Sequence, residues 1–162
     1  MGIDLHDEIL KSMRAAPAIV RGLVRDLGAE EVRRRPQPTE WAVIEIVAHM
    51  ADTDERALGR LRRMLREDKP PLPGFDQEQL ARDRRYIDMD VTEQLDRYER
   101  GRIQHVNELT ALDEAEWQRI GVHSEHGPMS VEHYEAHVAS EDVDHLAQIA
   151  RLVLGSERHV AG

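Results

Sequence analysis

The spacing of apolar residues along this chain predicts four long amphipathic helices. Apolar side chains recur every three or four residues, which places them on one face of a helix. The predicted helices run from Asp4 to Leu27, from Glu40 to about Glu67, from Val91 to Leu112, and from Val131 to Gly155. No run of alternating apolar and polar residues predicts a strand. We therefore expect an all-α bundle without a sheet.

Proline, glycine and capping residues mark the predicted helix ends and connections. Pro17 lies inside the first apolar pattern and is expected to kink or break that helix. Thr39 is the predicted N-cap of the second helix and Ser130 that of the fourth, whereas Gly155 is expected to end the fourth helix. The proline-rich loop of residues 69–74 excludes helix, and extra short helices are expected in the connections.

Length and composition limit the possible classes of protein. The 162 residues suit one domain, predicted to span residues 1–155, with residues 156–162 as a flexible C-terminal tail. The absence of cysteine excludes disulfides and thiol nucleophiles, so any metal must be bound by His, Asp or Glu. The formal net charge of −10 argues against a nucleic-acid partner. Without a long apolar run or a signal-peptide pattern, we expect a cytoplasmic protein with no membrane partner.

The fourth predicted helix carries polar residues where its pattern calls for apolar ones. Asp142 and His145 fall inside the apolar sector, and Glu141 lies at its edge, one turn before His145. Polar groups among core residues are costly unless they are paired or bound to a ligand. This segment is therefore the first candidate for chemistry; the alternative interpretation is a surface helix with acidic decoration.

His49, on the second predicted helix, lies off the apolar stripe and shares its face with Glu45 and Asp52. Periodicity alone interprets it as an ordinary exposed residue. The alternative is a histidine that lines an open cleft, since a ligand histidine is often oriented by a carboxylate close by.

The segment 41–52, WAVIEIVAHMAD, resembles the signature of the DinB-like superfamily, which includes the YfiT-like metal-dependent hydrolases. Residues 70–76, 121–130 and 142–149 are similar to its middle loop and C-terminal half. The likeness covers most of the chain, from Leu5 to about Leu154. It implies an up-down-down-up four-helix bundle that is often a homodimer.

The resemblance also implies a divalent metal held by three histidines, one on the second helix and two at a four-residue spacing on the fourth. In this sequence the three ligand positions correspond to His49, position 141 and His145. Position 141 is a glutamate here rather than a histidine. Two histidines and one carboxylate still suit a catalytic zinc or iron site, but Glu141 could equally mark a weakened or lost one. Zinc or nickel is the expected metal, with manganese or iron as alternatives.

Other residues are candidates for an alternative ligand or for a side chain that orients a ligand. They are Asp52, His123, His137, Asp142 and Gln148. Three of them also have a plainer interpretation: a surface residue for His137, a carboxylate buried against an arginine for Asp142, and a hydrogen bond across helices for Gln148. His123, His126 and His133 could line the entrance or be exposed loop and cap residues.

The resemblance implies a metal-dependent enzyme that acts on a small molecule, by hydrolysis or by transfer of a low-molecular-weight thiol. The alternative is a non-catalytic helical dimer whose metal site is structural or degenerate. Leu146, Ala150 and Leu154 lie on the far side of the fourth helix, and we expect them to form a homodimer interface.

Overall fold

The computed structural model describes residues 2–160, with side chains described for residues 2–155. Its helices are α1 (Leu5–Val24), α2 (Val43–Arg66), α3 (Gln77–Asp83), α4 (Val91–Thr110), α5 (Glu114–Trp117) and α6 (Val131–Val160). Its strands are β1 (Pro71–Leu72), β2 (Ile120–His123) and β3 (Gly127–Ser130). Single 3-10 turns lie at Glu31–Arg33 and Tyr86–Asp88. The four long predicted helices are confirmed as α1, α2, α4 and α6. None of the described helices is long and apolar enough to cross a membrane.

Side-chain pairs between α2 and α4 show that these two helices run parallel. Asp52 pairs with Arg97, and Arg62 pairs with Glu108 further along both helices. A parallel pair cannot be joined by a short turn, so the connection between α2 and α4 is long. It holds β1, α3 and the second 3-10 turn.

Helix α6 runs antiparallel to α2 and parallel to α1. Arg60 of α2 contacts Tyr134 near the start of α6, whereas His49 near the start of α2 meets His145 further along α6. The first turns of α1 and α6 lie at the same end of the bundle, because the ring of His6 binds Glu132. The directions are therefore up, down, down, up, as expected from the resemblance.

The core that holds these helices together is mainly aliphatic and fills the bundle along its length. Leu61, Met64, Leu109 and Ile149 are among its fully buried side chains. Burying a side chain of this size contributes roughly 1.5–3 kcal/mol. The core thus fixes where α2 and α6 face each other.

A small sheet covers one end of the bundle, so the prediction of no sheet is wrong. β2 pairs in parallel with β1 and antiparallel with β3. Gly127, at the β2–β3 turn, has φ 73°, which favours glycine. Strands of two to four residues that contain proline and glycine are too short to show an alternating pattern.

Of the two effects predicted at Pro17, a kink or a break, the break does not occur, and α1 continues through this residue. A proline has no N–H to donate to the carbonyl four residues earlier, which is that of Met13. The guanidinium of Arg102 on α4 donates to this carbonyl oxygen at 3.0 Å. The buried carbonyl is therefore satisfied by another helix.

Two predicted helix ends are also wrong. Thr39 does not cap α2, whose N-cap is Ala42; the Glu45 carboxylate accepts the Ala42 N–H and is held by Arg35. Gly155 does not end α6, which continues to Val160, because glycine permits a stop without imposing one. The flexible tail at 156–162 stays a prediction, and residues 161–162 lie outside the described residues. Ser130 does cap α6, as predicted: its hydroxyl accepts the N–H of His133 at 3.1 Å.

Candidate metal centre

A cavity of about 380 Å³ lies between α2, α6 and the β2–β3 hairpin. Five histidines line it: His49, His123, His126, His137 and His145. His133 is exposed and lies outside this lining. The fold thus brings histidines from two helices and a hairpin to one place, as the sequence hypothesis of an open cleft requires.

His49 is almost fully buried, with 1% of its surface exposed, so its interpretation as an exposed residue is wrong. The connecting segments cover the face of α2 that periodicity assigned to solvent; the Trp41 ring, for example, packs 5.0 Å from the His49 ring. Burial, together with the adjacent His145, lowers the pKa of His49 to about 4. At neutral pH His49 is therefore an uncharged imidazole, the form that binds metals.

His145 faces His49, with the two ring centroids 4.8 Å apart. Its Nδ1 lies 3.2 Å from the amide oxygen of Gln148, which only accepts hydrogen bonds, so Nδ1 carries the ring proton. The other ring nitrogen, Nε2, is buried and has no hydrogen-bond partner within the described chain. His145 thus holds an unused lone pair, which is the group that a metal binds.

Glu141 is half-exposed and lies between two histidines on the same face of α6. One carboxylate oxygen is 4.0 Å from Nε2 of His145, and the other is 3.8 Å from Nε2 of His137. His49, Glu141 and His145 line one cavity, but they are not among the described trios whose ligand atoms all lie within 4.8 Å of one another. A change of side-chain conformation is therefore needed to close this set around an ion.

Two other groups of His and Glu do satisfy that distance. The first, His123, Glu125 and His126, lies on the hairpin at the same cavity. The Nδ1 of His123 accepts the backbone N–H groups of Glu125 and His126 at 3.1 and 3.4 Å, so the ring proton sits on Nε2. The tautomer of His123 suits donation of a hydrogen bond, in contrast to that of His145.

The second group consists of His6, Glu114 and Glu132. It lies where α1 and α6 begin, and none of the three lines the cavity. The His6 ring stacks on Trp117 with centroids 4.1 Å apart, and its Nε2 is 2.7 Å from the Glu132 carboxylate. The ring and its carboxylate already satisfy each other, so this group needs no metal.

The two candidate carboxylates Asp52 and Asp142 contact arginines rather than the predicted ligands. Asp52 accepts hydrogen bonds from Arg84, Arg97 and Tyr86. Asp142 accepts two from Arg102, at 2.6 and 3.0 Å. Of the residues expected to serve as an alternative ligand or to orient one, Gln148 contacts His145, and His137 lies 3.8 Å from Glu141.

A buried ion network lies beside the cavity, and the sequence analysis did not predict it. His105 lies between Asp54 and Glu135, at 2.9 and 3.1 Å from their carboxylates. Although burial alone lowers it, the pKa of His105 is raised to about 10 by Glu135 and Asp54. The network links α4 to both α2 and α6, and contacts between such distant positions leave no local pattern in the sequence.

Comparison with known proteins decides the family. Residues 12–149 match the model of the DinB superfamily. The chain belongs to the DinB superfamily. The resemblance seen in residues 41–52 is thus confirmed.

The chain is also similar to two curated bacterial proteins. A protein of Geobacillus thermodenitrificans named "Putative metal-dependent hydrolase" is 26% identical over 113 residues, which span 70% of this chain and 64% of that protein. A protein of Oceanobacillus iheyensis with the same description is 27% identical over 151 residues, spanning 90% of this chain and 83% of that protein. The match to the first protein thus leaves about a third of its length uncovered.

Among solved structures, YfiT from Bacillus subtilis is described as "a probable metal-dependent hydrolase with an unusual four-helix bundle topology". It aligns with a TM-score of 0.87 at 17% identity, covering 94% of this chain and 87% of YfiT. The predicted four-helix bundle is confirmed by this similarity of fold.

Proposed function

We propose that this protein is a metal-dependent hydrolase of small molecules whose divalent ion is held by His49, Glu141 and His145. The observation that carries the proposal is Nε2 of His145, a buried nitrogen without a partner on a ring that Gln148 holds in place. Leaving such a group unsatisfied costs about 1–3 kcal/mol. A bound metal ion offsets that cost, whereas a site without a metal leaves the nitrogen unsatisfied.

The chemical types of the three side chains fit a divalent ion. Two neutral imidazoles and one carboxylate form a donor set typical of catalytic zinc, with one position left open. Zinc or nickel is the expected ion, and manganese or iron is the alternative. A divalent ion so held supplies a Lewis acid that makes water nucleophilic near neutral pH.

The chain itself controls what reaches this site. A cavity of about 380 Å³ is at the small end of the range for ligand pockets, roughly 300–1,000 Å³. The rings of Phe75 and Tyr134 add apolar walls beside the histidines. These dimensions and walls favour a small organic substrate over a polymer.

Transfer of a low-molecular-weight thiol is the second reaction to assay. The chain has no cysteine, so a thiol has to come from a co-substrate that enters the same cavity. Both reactions use the same three ligands, and both are therefore expected to depend on His145.

We also propose that the protein forms a homodimer through the outer side of α6. Leu154 is 57% exposed there, while Leu146 packs partly against the core. Light scattering at high micromolar concentration is expected to give twice the chain mass, and a Leu154→Glu variant to give a monomer. A wild-type monomer under these conditions contradicts the proposal.

The test of the function is ester hydrolysis with p-nitrophenyl acetate as probe. We expect activity in zinc- or nickel-loaded protein, its loss after chelation, and its loss in His145→Ala. His133→Ala, an exposed histidine on the same helix, is the matched control and should keep the activity. Hydrolysis that survives chelation and is equal in His145→Ala contradicts the proposal.

A further inference from the structure

Arg60 of α2 lines the cavity without an acidic partner. Within the described chain it forms no ion pair. Its two polar contacts are neutral: the guanidinium donates to the Tyr134 hydroxyl at 3.3 Å and to the carbonyl of Pro73. Many other arginines are paired with carboxylates, namely Arg21, Arg35, Arg62, Arg63, Arg84, Arg85, Arg97 and Arg102. In a chain with a net charge of −10, an unpaired cation inside the cavity calls for an anionic ligand.

His123 supplies a hydrogen-bond donor to the same cavity. It is buried, with 8% of its surface exposed, and its Nδ1 is committed to the two backbone N–H groups of the hairpin. The remaining Nε2–H has no acceptor within the described chain. Arg60 and His123 both line this cavity. A guanidinium and an imidazole N–H are therefore available to one bound molecule.

The acidic side chains around the cavity do not neutralise Arg60. Asp54 and Asp142 are both paired with Arg102 at 2.8 and 2.6 Å. Glu141 lies between His137 and His145, and Glu125 is exposed on the hairpin beside His126. The positive charge of Arg60 is left for a molecule that enters from solvent.

We propose that the substrate carries a carboxylate group, which Arg60 and the Nε2–H of His123 bind while the reacting part of the molecule faces His49 and His145. This inference rests on the proposed function. One guanidinium and one neutral N–H match a single negative charge, whereas a phosphate dianion would leave excess charge near Glu125 and Glu141. Phe75 and Tyr134 provide apolar contact for the body of a small organic acid.

The experiment titrates metal-free protein with benzoate, followed through the side-chain Nε–H signals of the arginines by NMR. Benzamide, which has the same shape without the charge, and inorganic phosphate are titrated alongside. We expect benzoate to shift the Arg60 signal and to bind more tightly than either. Because a hydrogen bond to a charged group contributes about 1.5–3 kcal/mol, Arg60→Ala should weaken benzoate binding by roughly tenfold to a hundredfold.

Two further variants make the result specific. Arg100→Ala removes the same charge from an exposed position of α4 and should leave benzoate binding unchanged. Arg60→Lys keeps the charge but loses the planar fork, so it should bind benzoate with intermediate affinity. Equal binding of benzoate by wild type and Arg60→Ala, or tighter binding of phosphate or benzamide than of benzoate, overturns the inference.

Zinc titration of the same variants separates this inference from the proposed function. Arg60→Ala should bind zinc like wild type, because Arg60 is not a ligand. Zinc binding without benzoate binding removes the carboxylate site and leaves the hydrolase proposal standing. Benzoate binding at Arg60 in a protein that binds no zinc removes the hydrolase proposal and shows that the cavity is an anion site alone.

Discussion

His49 and His105 are both almost fully buried on neighbouring helices, yet their pKa values move in opposite directions. That of His49 falls to about 4, because burial is opposed only weakly and a second imidazole lies beside it. That of His105 rises to about 10, because carboxylates contact both ring nitrogens. The same side chain is thus a neutral imidazole in one region and a buried cation in the other.

The two regions differ in whether their polar groups are paired within the chain, and this difference separates a structural polar cluster from a functional one. In the region around His105, each charged group has an oppositely charged partner: Arg102 holds Asp54 and Asp142, and His105 holds Asp54 and Glu135. In the region around His49, the facing ring of His145 keeps an unpartnered nitrogen. The first region pairs its charges within the chain, although Asp54 Oδ2 and Glu135 Oε2 also have no hydrogen-bond partner among the described residues. In the second region the unpartnered atom is a neutral ring nitrogen, whose lone pair a metal ion can bind.

The largest expected effect comes from breaking the paired region. Arg102→Ala leaves Asp54 and Asp142 buried without their cation, so it should destabilise the fold by roughly 3–5 kcal/mol in urea denaturation. Arg62→Ala, which removes an arginine from the partly exposed pair with Glu108, is the control and should cost about 0–1 kcal/mol. Equal losses in the two variants contradict the structural role of the network.

The next effect is the pH dependence of stability that His105 introduces. Its folded pKa of about 10 lies above the unfolded value of about 6.5, so its stabilisation is complete below pH 6.5 and is lost as the pH rises towards 10. We expect wild type to lose on the order of a few kcal/mol across this window. His105→Gln should be less stable at pH 6 and should show a flatter profile. A wild-type profile as flat as that of His105→Gln contradicts the assignment.

A smaller effect is expected in the unpaired region. His145→Leu in metal-free protein removes a buried nitrogen that has no partner, at the cost of the bond to Gln148. The two changes oppose each other, so unfolding free energy should stay within about 1 kcal/mol of wild type. Urea denaturation with a chelator present checks this. A loss as large as that of Arg102→Ala contradicts the division into two regions.

Much of the fold was predictable, because helical spacing of apolar residues is a local property of the sequence. That α1 continues through Pro17 without a break was not predictable in this way, because Arg102, 85 positions away, satisfies the carbonyl that proline leaves free. The sheet was missed because its short strands depend on backbone pairing between distant segments, such as that of Leu72 with His123. Such pairing leaves no alternation of apolar and polar side chains in the sequence.

The candidate site was predictable in part. Glu141 and His145 stood out because they interrupt or border an apolar sector of α6. For His49 the pattern left two interpretations open, exposed residue or cleft residue, and the resemblance favoured the second; its burial depends on segments such as the one that carries Trp41. His105 and Arg60 were missed because their roles depend on side chains from other helices.

The central claim is that His49, Glu141 and His145 hold a metal, and zinc titration calorimetry of ligand variants tests it most directly. We predict that His49→Ala and His145→Ala bind no zinc, and that Glu141→Ala binds it about 10–100-fold more weakly. Glu141→His should bind at least as tightly as wild type, and His137→Ala should be nearly unchanged. Circular dichroism confirms that each variant is folded. Weakened binding in His137→Ala with normal binding in Glu141→Ala would move the site by one turn, and a wild-type protein that binds no divalent metal would contradict the account.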